Sequence, residues 1–112
     1  MSTKAIELDV GKMRVAAETA TLLLRALANS DRLLLLCQLS QGEHSVGELS
    51  EALGIQQPTL SQQLTVLRTQ NFVSTRRDGK RIYYAVRDPK VLGVLETLYC
   101  LFCPSRQKHP AR

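Results

Sequence analysis

Three cysteines carry the most versatile chemistry in this chain: Cys37, Cys100 and Cys103. Residues 1–11 contain no apolar run of signal-peptide length, so the chain is expected in the cytoplasm. An odd thiol count in that reducing setting argues against a disulfide framework. It leaves core thiols, metal ligands or redox centres. Cys100-x-x-Cys103 has the spacing of a dithiol oxidoreductase. Such motifs sit at helix N-termini, where the positive end of the dipole lowers the thiol pKa. This pair ends an apolar helical stretch instead, so no enzyme is expected. Three thiols could hold a soft ion such as arsenite in trigonal geometry, with the tail residue His109 as a further ligand. Cys37, inside a leucine run, could equally be a small core hydrophobe. His44 reads as a loop residue.

A second chemistry lies in the stretch from Gln56 to Arg68. Leu60, Leu64 and Leu67 recur at helical spacing and form one apolar stripe. Pro58 suits the first turn, where no intrahelical N–H bond is lost. The remaining face carries Gln57, Thr59, Ser61 and Gln62. These short neutral amides and hydroxyls can each donate and accept a hydrogen bond, which suits contact with base edges. Further on, Arg76, Arg77, Lys80 and Arg81 crowd around Asp78-Gly79, four cations at one hairpin tip. Such a tip can grip phosphate or the minor groove.

The elements that must position these groups follow from periodicity and caps. Residues 1–11 read as a loose segment, 12–103 as one domain and 104–112 as a flexible tail. A helix is predicted from about Lys12 to Ala28, with stripes Ala16/Ala20/Leu23/Leu27 and Met13/Ala17/Leu24. Two stripes exceed what one small core requires, so one is expected to face a partner. Asn29-Ser30-Asp31 opens a second helix, ending at Gly42 and rich in leucine. Ser45 and Glu48 have capping-box spacing, and Gly54 suits the left-handed end of a short helix Val46–Leu53. Short helix, Gly-containing turn and polar-faced helix form a helix-turn-helix. Residues 72–77 and 80–86 alternate as strands about Asp78-Gly79, with both turn positions expected at positive φ. Asp88-Pro89 starts a last helix whose stripe is Val91, Leu95, Leu98 and Phe102. An excess of apolar positions there predicts dimerisation with Leu95 and Leu98 in or beside the interface.

At 112 residues the chain suits one domain. Fifteen Lys and Arg against ten Asp and Glu leave a net charge of +5, which points mildly to a polyanionic partner. Aromatics are only 4%, without Trp, which favours a helical, Leu/Ala-rich fold. No segment reaches the length of a membrane span.

The order helix, helix, helix-turn-helix, basic wing, helix resembles the ArsR family of bacterial winged-helix repressors. The match runs through Leu27-Ala28-Asn29 with Arg32-Leu33, Val46-Gly47-Glu48-Leu49, Gln57 to Leu64 with Arg68, and Gly79 to Tyr84. The resemblance implies a mainly α winged helix-turn-helix with a two-stranded wing, dimerised through its first and last helices. It implies a homodimer on operator DNA, an imperfect palindrome, released by a chemical signal. Two metal sites of the family find no match. A Cys-x-Cys pair would fall on Ser45 and Gly47. An Asp-x-His set would fall on Asp88, Lys90, Leu101 and Pro104, where only the Asp is retained and serves as a cap. No metal and no cofactor is therefore expected. Cys37 and Cys103 instead resemble the pair of the BigR/SqrR subgroup, which senses hydrogen sulfide and reactive sulfur species by bridging its two cysteines. Cys100 departs from that two-cysteine pattern and leaves its own part in the response open, alongside the three-thiol arsenite reading.

Overall fold

Short polar side chains set where most helices begin. In the computed structural model, which describes residues 9–103, Asp9 accepts from the Lys12 N–H at 3.1 Å and opens α1, Val10–Leu27. The helix thus starts at Val10 and takes in part of the segment expected to be loose. Asn29 accepts from the Arg32 N–H at 3.0 Å and opens α2, Ser30–Leu39. Ser45 and Glu48 form the reciprocal capping box of α3, Val46–Leu53, at 3.2 and 2.9 Å. Gly54 closes α3 in the left-handed region at φ 70°, where a Cβ would add strain. Pro58 lies in the first turn of α4, Gln57–Thr69. Asp88 accepts from the Lys90 N–H at 2.9 Å and opens α5, Pro89–Phe102. The tail expected to be flexible, 104–112, lies outside the described residues, as does His109.

The sheet differs from expectation in two ways. It has three strands rather than two: β1 His44–Ser45, β2 Ser74–Asp78 and β3 Arg81–Ala85, in the order β1-β3-β2 and antiparallel throughout. The capping position holds Ser45 in extended backbone, φ −82° and ψ 169°, which lays it and His44 along the open edge of β3. A strand of two residues has no period to betray it. His44 is therefore not a free loop residue. Its Nδ1 meets the Gly42 carbonyl at 2.9 Å, so that nitrogen donates, and its Nε2 faces the Gln38 amide at 3.4 Å. The hairpin turn also shifts by one residue. Asp78 pairs with Arg81, so Gly79-Lys80 is the loop, and only Gly79 has positive φ, at 65°. A glycine at the first central position is the type II′ solution, which asks for one left-handed residue rather than two.

The core is a leucine cluster. Leu35, Leu36 and Leu39 of α2 meet Leu49 of α3, Leu60, Leu64 and Leu67 of α4, and Val91 and Leu95 of α5. Val73 and Val86 close it from the ends of the hairpin. This fixes α4 by its apolar stripe and leaves its polar face outward. Leu64→Ala is expected to destabilise the fold by about 2–5 kcal/mol through reduced burial and a residual cavity. Thermal and denaturant unfolding measure it.

Helix α1 contributes little to that core. Only Ala26 is buried, with Leu23 and Leu27 packed beside it. Val10, Met13, Val15, Leu22 and Leu24 are exposed. At the far end of α5, Leu101 and Phe102 are 69% and 77% exposed. Leu95, expected in or beside an interface, is 3% exposed and belongs to the core of its own chain, whereas Leu98 is half-buried. Leu98 is a neighbour of Leu95 on the same side of the helix but lies at the margin of the buried stripe. Among the described residues, no helix is long and apolar enough to cross a membrane.

Candidate nucleic-acid interface and thiol site

Gln57, Thr59, Ser61 and Gln62 are all exposed on the N-terminal half of α4, opposite the buried Leu60 and Leu64. Gln63, absent from the expected set, behaves differently. It is half-buried, and its Oε1 accepts from Arg32 Nη1 at 3.1 Å. Helical spacing separates the two, since Gln63 falls three residues after Leu60 and four before Leu67, beside the apolar stripe, whereas Gln62 falls on the opposite face.

The four wing cations divide into two kinds. Arg77, Lys80 and Arg81 are exposed around the tip. Arg76 is held. Its guanidinium meets Glu43 with two donors, at 2.9 Å from Nη2 and 3.0 Å from Nε, and stacks 4.9 Å from the Tyr83 ring centre. Arg87 reaches the same carboxylate at 3.1 Å. Those partners push the Glu43 carboxyl below its ordinary pKa, chiefly through the Arg76 hydrogen bonds. Arg76, also expected at DNA, fastens the wing to the loop after α2 while its side chain stays 50% exposed. Glu43 gives no signal in the sequence, since its partners lie far along the chain. The strand alternation puts Arg76, Tyr83 and Arg81 on one face of the hairpin, and Arg77 and Ile82 on the other.

The thiols belong to α2 and α5. Cys37 is half-buried in α2, and Cys100 and Cys103 are exposed on and just beyond α5. A cavity of about 560 Å³ opens between α2 and α5, and Leu34, Cys37, Gln38, Leu92, Glu96 and Tyr99 line part of it. Burial raises the Cys37 pKa above that of an ordinary thiol, and the Cys103 thiolate nearby raises it further. Cys37 is therefore a protonated thiol at neutral pH with a second sulfur in electrostatic range. The three cysteines do not converge as a metal site. Among the described residues, no group of three or more His, Cys, Asp or Glu is placed to hold an ion. Cys103 is the C-cap residue of α5, its N–H donating to the Tyr99 carbonyl at 2.9 Å.

Residues 29–75 match the profile described as "Bacterial regulatory protein, arsR family". The chain is 48% identical over 101 residues to the biofilm growth-associated repressor of Agrobacterium fabrum, covering 86% of each protein. The crystal structure of the transcriptional repressor BigR from Xylella fastidiosa superposes with a TM-score of 0.79 at 43% identity, covering 88% of this chain and 100% of that one. Reduced HlyU from Vibrio cholerae superposes at 0.78 with 39% identity, over 82% of this chain and 97% of that one.

Proposed function

The chain belongs to the arsR family of bacterial regulatory proteins, which are DNA-binding transcription regulators, and from that premise we propose that it is a homodimeric repressor whose DNA affinity is switched by a cysteine pair. The observation that carries the DNA-binding half is the exposed neutral polar face of α4, together with a wing tip that exposes three cations, Arg77, Lys80 and Arg81. Gln57, Thr59, Ser61 and Gln62 read base edges, while the cations neutralise phosphates. Two copies related by a two-fold axis read an imperfect palindrome, with half-sites about 34 Å apart. The exposed apolar residues of α1 and of the end of α5 supply the dimer surface, with Leu98 at its border and Leu95 beneath it. The regulator acts in the cytoplasm, where its operator is.

The switch rests on Cys37 and Cys103. Cys103, exposed, attacks the outer sulfur of a small persulfide R–S–SH as thiolate. It becomes Cys103–S–SH and expels RS⁻. Cys37, on losing its proton, attacks the inner sulfur of that group. A Cys37–Cys103 disulfide forms and HS⁻ leaves, so the sulfane sulfur is the species reduced. The bridge ties α5 to α2 and alters the spacing of the two reading helices. The Agrobacterium and Xylella relatives, both named as repressors and both more similar to this chain than the Vibrio cholerae activator HlyU, support the repressor sign. Cys100 stands outside this route.

Salt titration tests the DNA interface. Lys80→Ala with Arg81→Ala is expected to weaken binding to every duplex. The slope of log K against log salt should fall by about 2, close to one for each phosphate no longer neutralised. A slope equal to that of the unaltered protein removes the wing from the interface. Mass spectrometry after separate persulfide, peroxide and arsenite treatment tests the thiol half. Loss of two hydrogens across Cys37 and Cys103 with persulfide is the expected product, and an arsenite adduct on all three thiols overturns it.

A further inference from the structure

A cation in the first turn of a helix faces the positive end of the dipole, so Arg32, third in α2, sits where charge alone would not put it. Its side chain turns back instead. Nε donates to the Ala26 carbonyl at 2.9 Å and Nη2 to the Arg25 carbonyl at 3.0 Å. Both belong to the last turn of α1, where the Arg25 carbonyl also accepts from the Ala28 N–H at 3.2 Å. Nη1 donates to Gln63 Oε1 of α4 at 3.1 Å, across 31 residues of sequence. One guanidinium thus engages the end of the first helix and the middle of the reading helix from a root in the second. Only arginine carries donors in this fork, and lysine would present a single point of charge.

We propose that Arg32 is a positioning residue that sets the rotation of α4 against α1, and that Gln63 is its handle on the reading helix. The proposal rests on the assignment of α4 to DNA reading. Gln62, exposed, and Leu64, buried, flank Gln63 directly. The leucine stripe holds α4 against the core but resists small rotations weakly, because leucine contacts have no direction. A hydrogen bond to Gln63 has one. It fixes the azimuth at which Gln62, Ser61 and Thr59 meet the groove. It also makes that azimuth depend on where the end of α1 sits.

The test compares affinity for duplexes that the unaltered protein selects from a random pool with affinity for a scrambled duplex of equal length. Gln63→Met keeps the length and shape of the side chain but removes the acceptor. It is expected to lower the selected-to-scrambled ratio about tenfold, the scale of one charge-assisted hydrogen bond. Arg32→Lys is expected to do the same, and the double variant no more than either alone. Gln63→Glu keeps an acceptor for Arg32. It should hold the ratio near that of the unaltered protein, even as its charge weakens binding to both duplexes. An unchanged ratio in Gln63→Met, losses that add in the double variant, or a Gln63→Glu ratio as low as that of Gln63→Met overturns the proposal. The last two outcomes would make Gln63 a direct DNA contact. Should Arg32→Lys fail to fold, the two Gln63 variants decide alone. An unaltered protein that selects no sequence removes the DNA-reading assignment itself, and the strut with it.

Discussion

A Cys37→Ser protein is expected to stay on its operator at persulfide concentrations that release the unaltered protein. Serine keeps the size of the side chain and its half-buried place in α2, so folding and operator affinity should be close to unchanged. What disappears is the sulfur placed to attack a persulfide on Cys103. The unaltered protein should lose affinity by about 5–150-fold on oxidation, the usual span of coupling between two sites. Cys37→Ser should lose none, although mass spectrometry should still find an added sulfur on Cys103. Cys103→Ser should be silent by both measures, and Cys100→Ser should respond in full. The raised pKa of Cys37 adds a pH signature. Its thiolate fraction grows with pH below that pKa, so bridge closure should quicken about tenfold per pH unit across the neutral range once Cys103 carries its persulfide. Normal release of Cys37→Ser from DNA would exclude the bridge, whatever else the thiols do.

The second large effect concerns assembly. Leu98→Glu places a carboxylate at the border of the apolar surface formed by α5 and α1. Leu98 is only half-buried in its own chain, so the monomer should fold. The dimer should not form, because the charge would be stranded between apolar faces. Sedimentation at micromolar concentration should show one chain where the unaltered protein shows two. Operator affinity should fall by roughly 10³ or more, toward the non-specific level, since one reading head is left for two half-sites. Leu95→Glu is no substitute test. Leu95 is in the core, and its replacement would unfold the chain rather than part the dimer.

The features legible in the sequence are those encoded locally. Ser45 with Glu48, Gly54, Pro58 and Asp88-Pro89 each act within one turn, and each marks a boundary the structure keeps. The stripe Leu60, Leu64 and Leu67 predicts its own burial, because three leucines at helical spacing can share only one face. What stays hidden depends on partners distant in sequence. Glu43 holds Arg76 and Arg87 across 33 and 44 residues, and nothing near it announces an ion pair. Strand β1 exists only because β3 offers it an edge. The end of α4 is hidden for another reason. Asn71 adopts the left-handed conformation at φ 65°, a role more often filled by glycine, and lets the Phe72 N–H reach the Leu67 carbonyl at 2.9 Å. At the thiols, spacing alone does not rank Cys100 against Cys103.

Ser45 is both the last residue of β1 and the cap of α3, and this double service bears on the order in which a growing chain can assemble. The cap needs only Glu48, three residues on, and can close as soon as that residue is available. The strand needs Tyr83 and Tyr84, and His44 waits 40 residues (84 minus 44) for its partner. During synthesis from the N-terminus, α3 and α4 are therefore complete before the sheet that will flank them has begun. The β2–β3 hairpin, with its two-residue loop, then forms on the microsecond scale, far faster than synthesis adds residues. Docking the finished hairpin onto His44-Ser45 closes a much longer loop than the hairpin's own turn, and that closure carries the larger entropic cost of the two. Until it happens, a nascent chain would hold its reading helix without its wing.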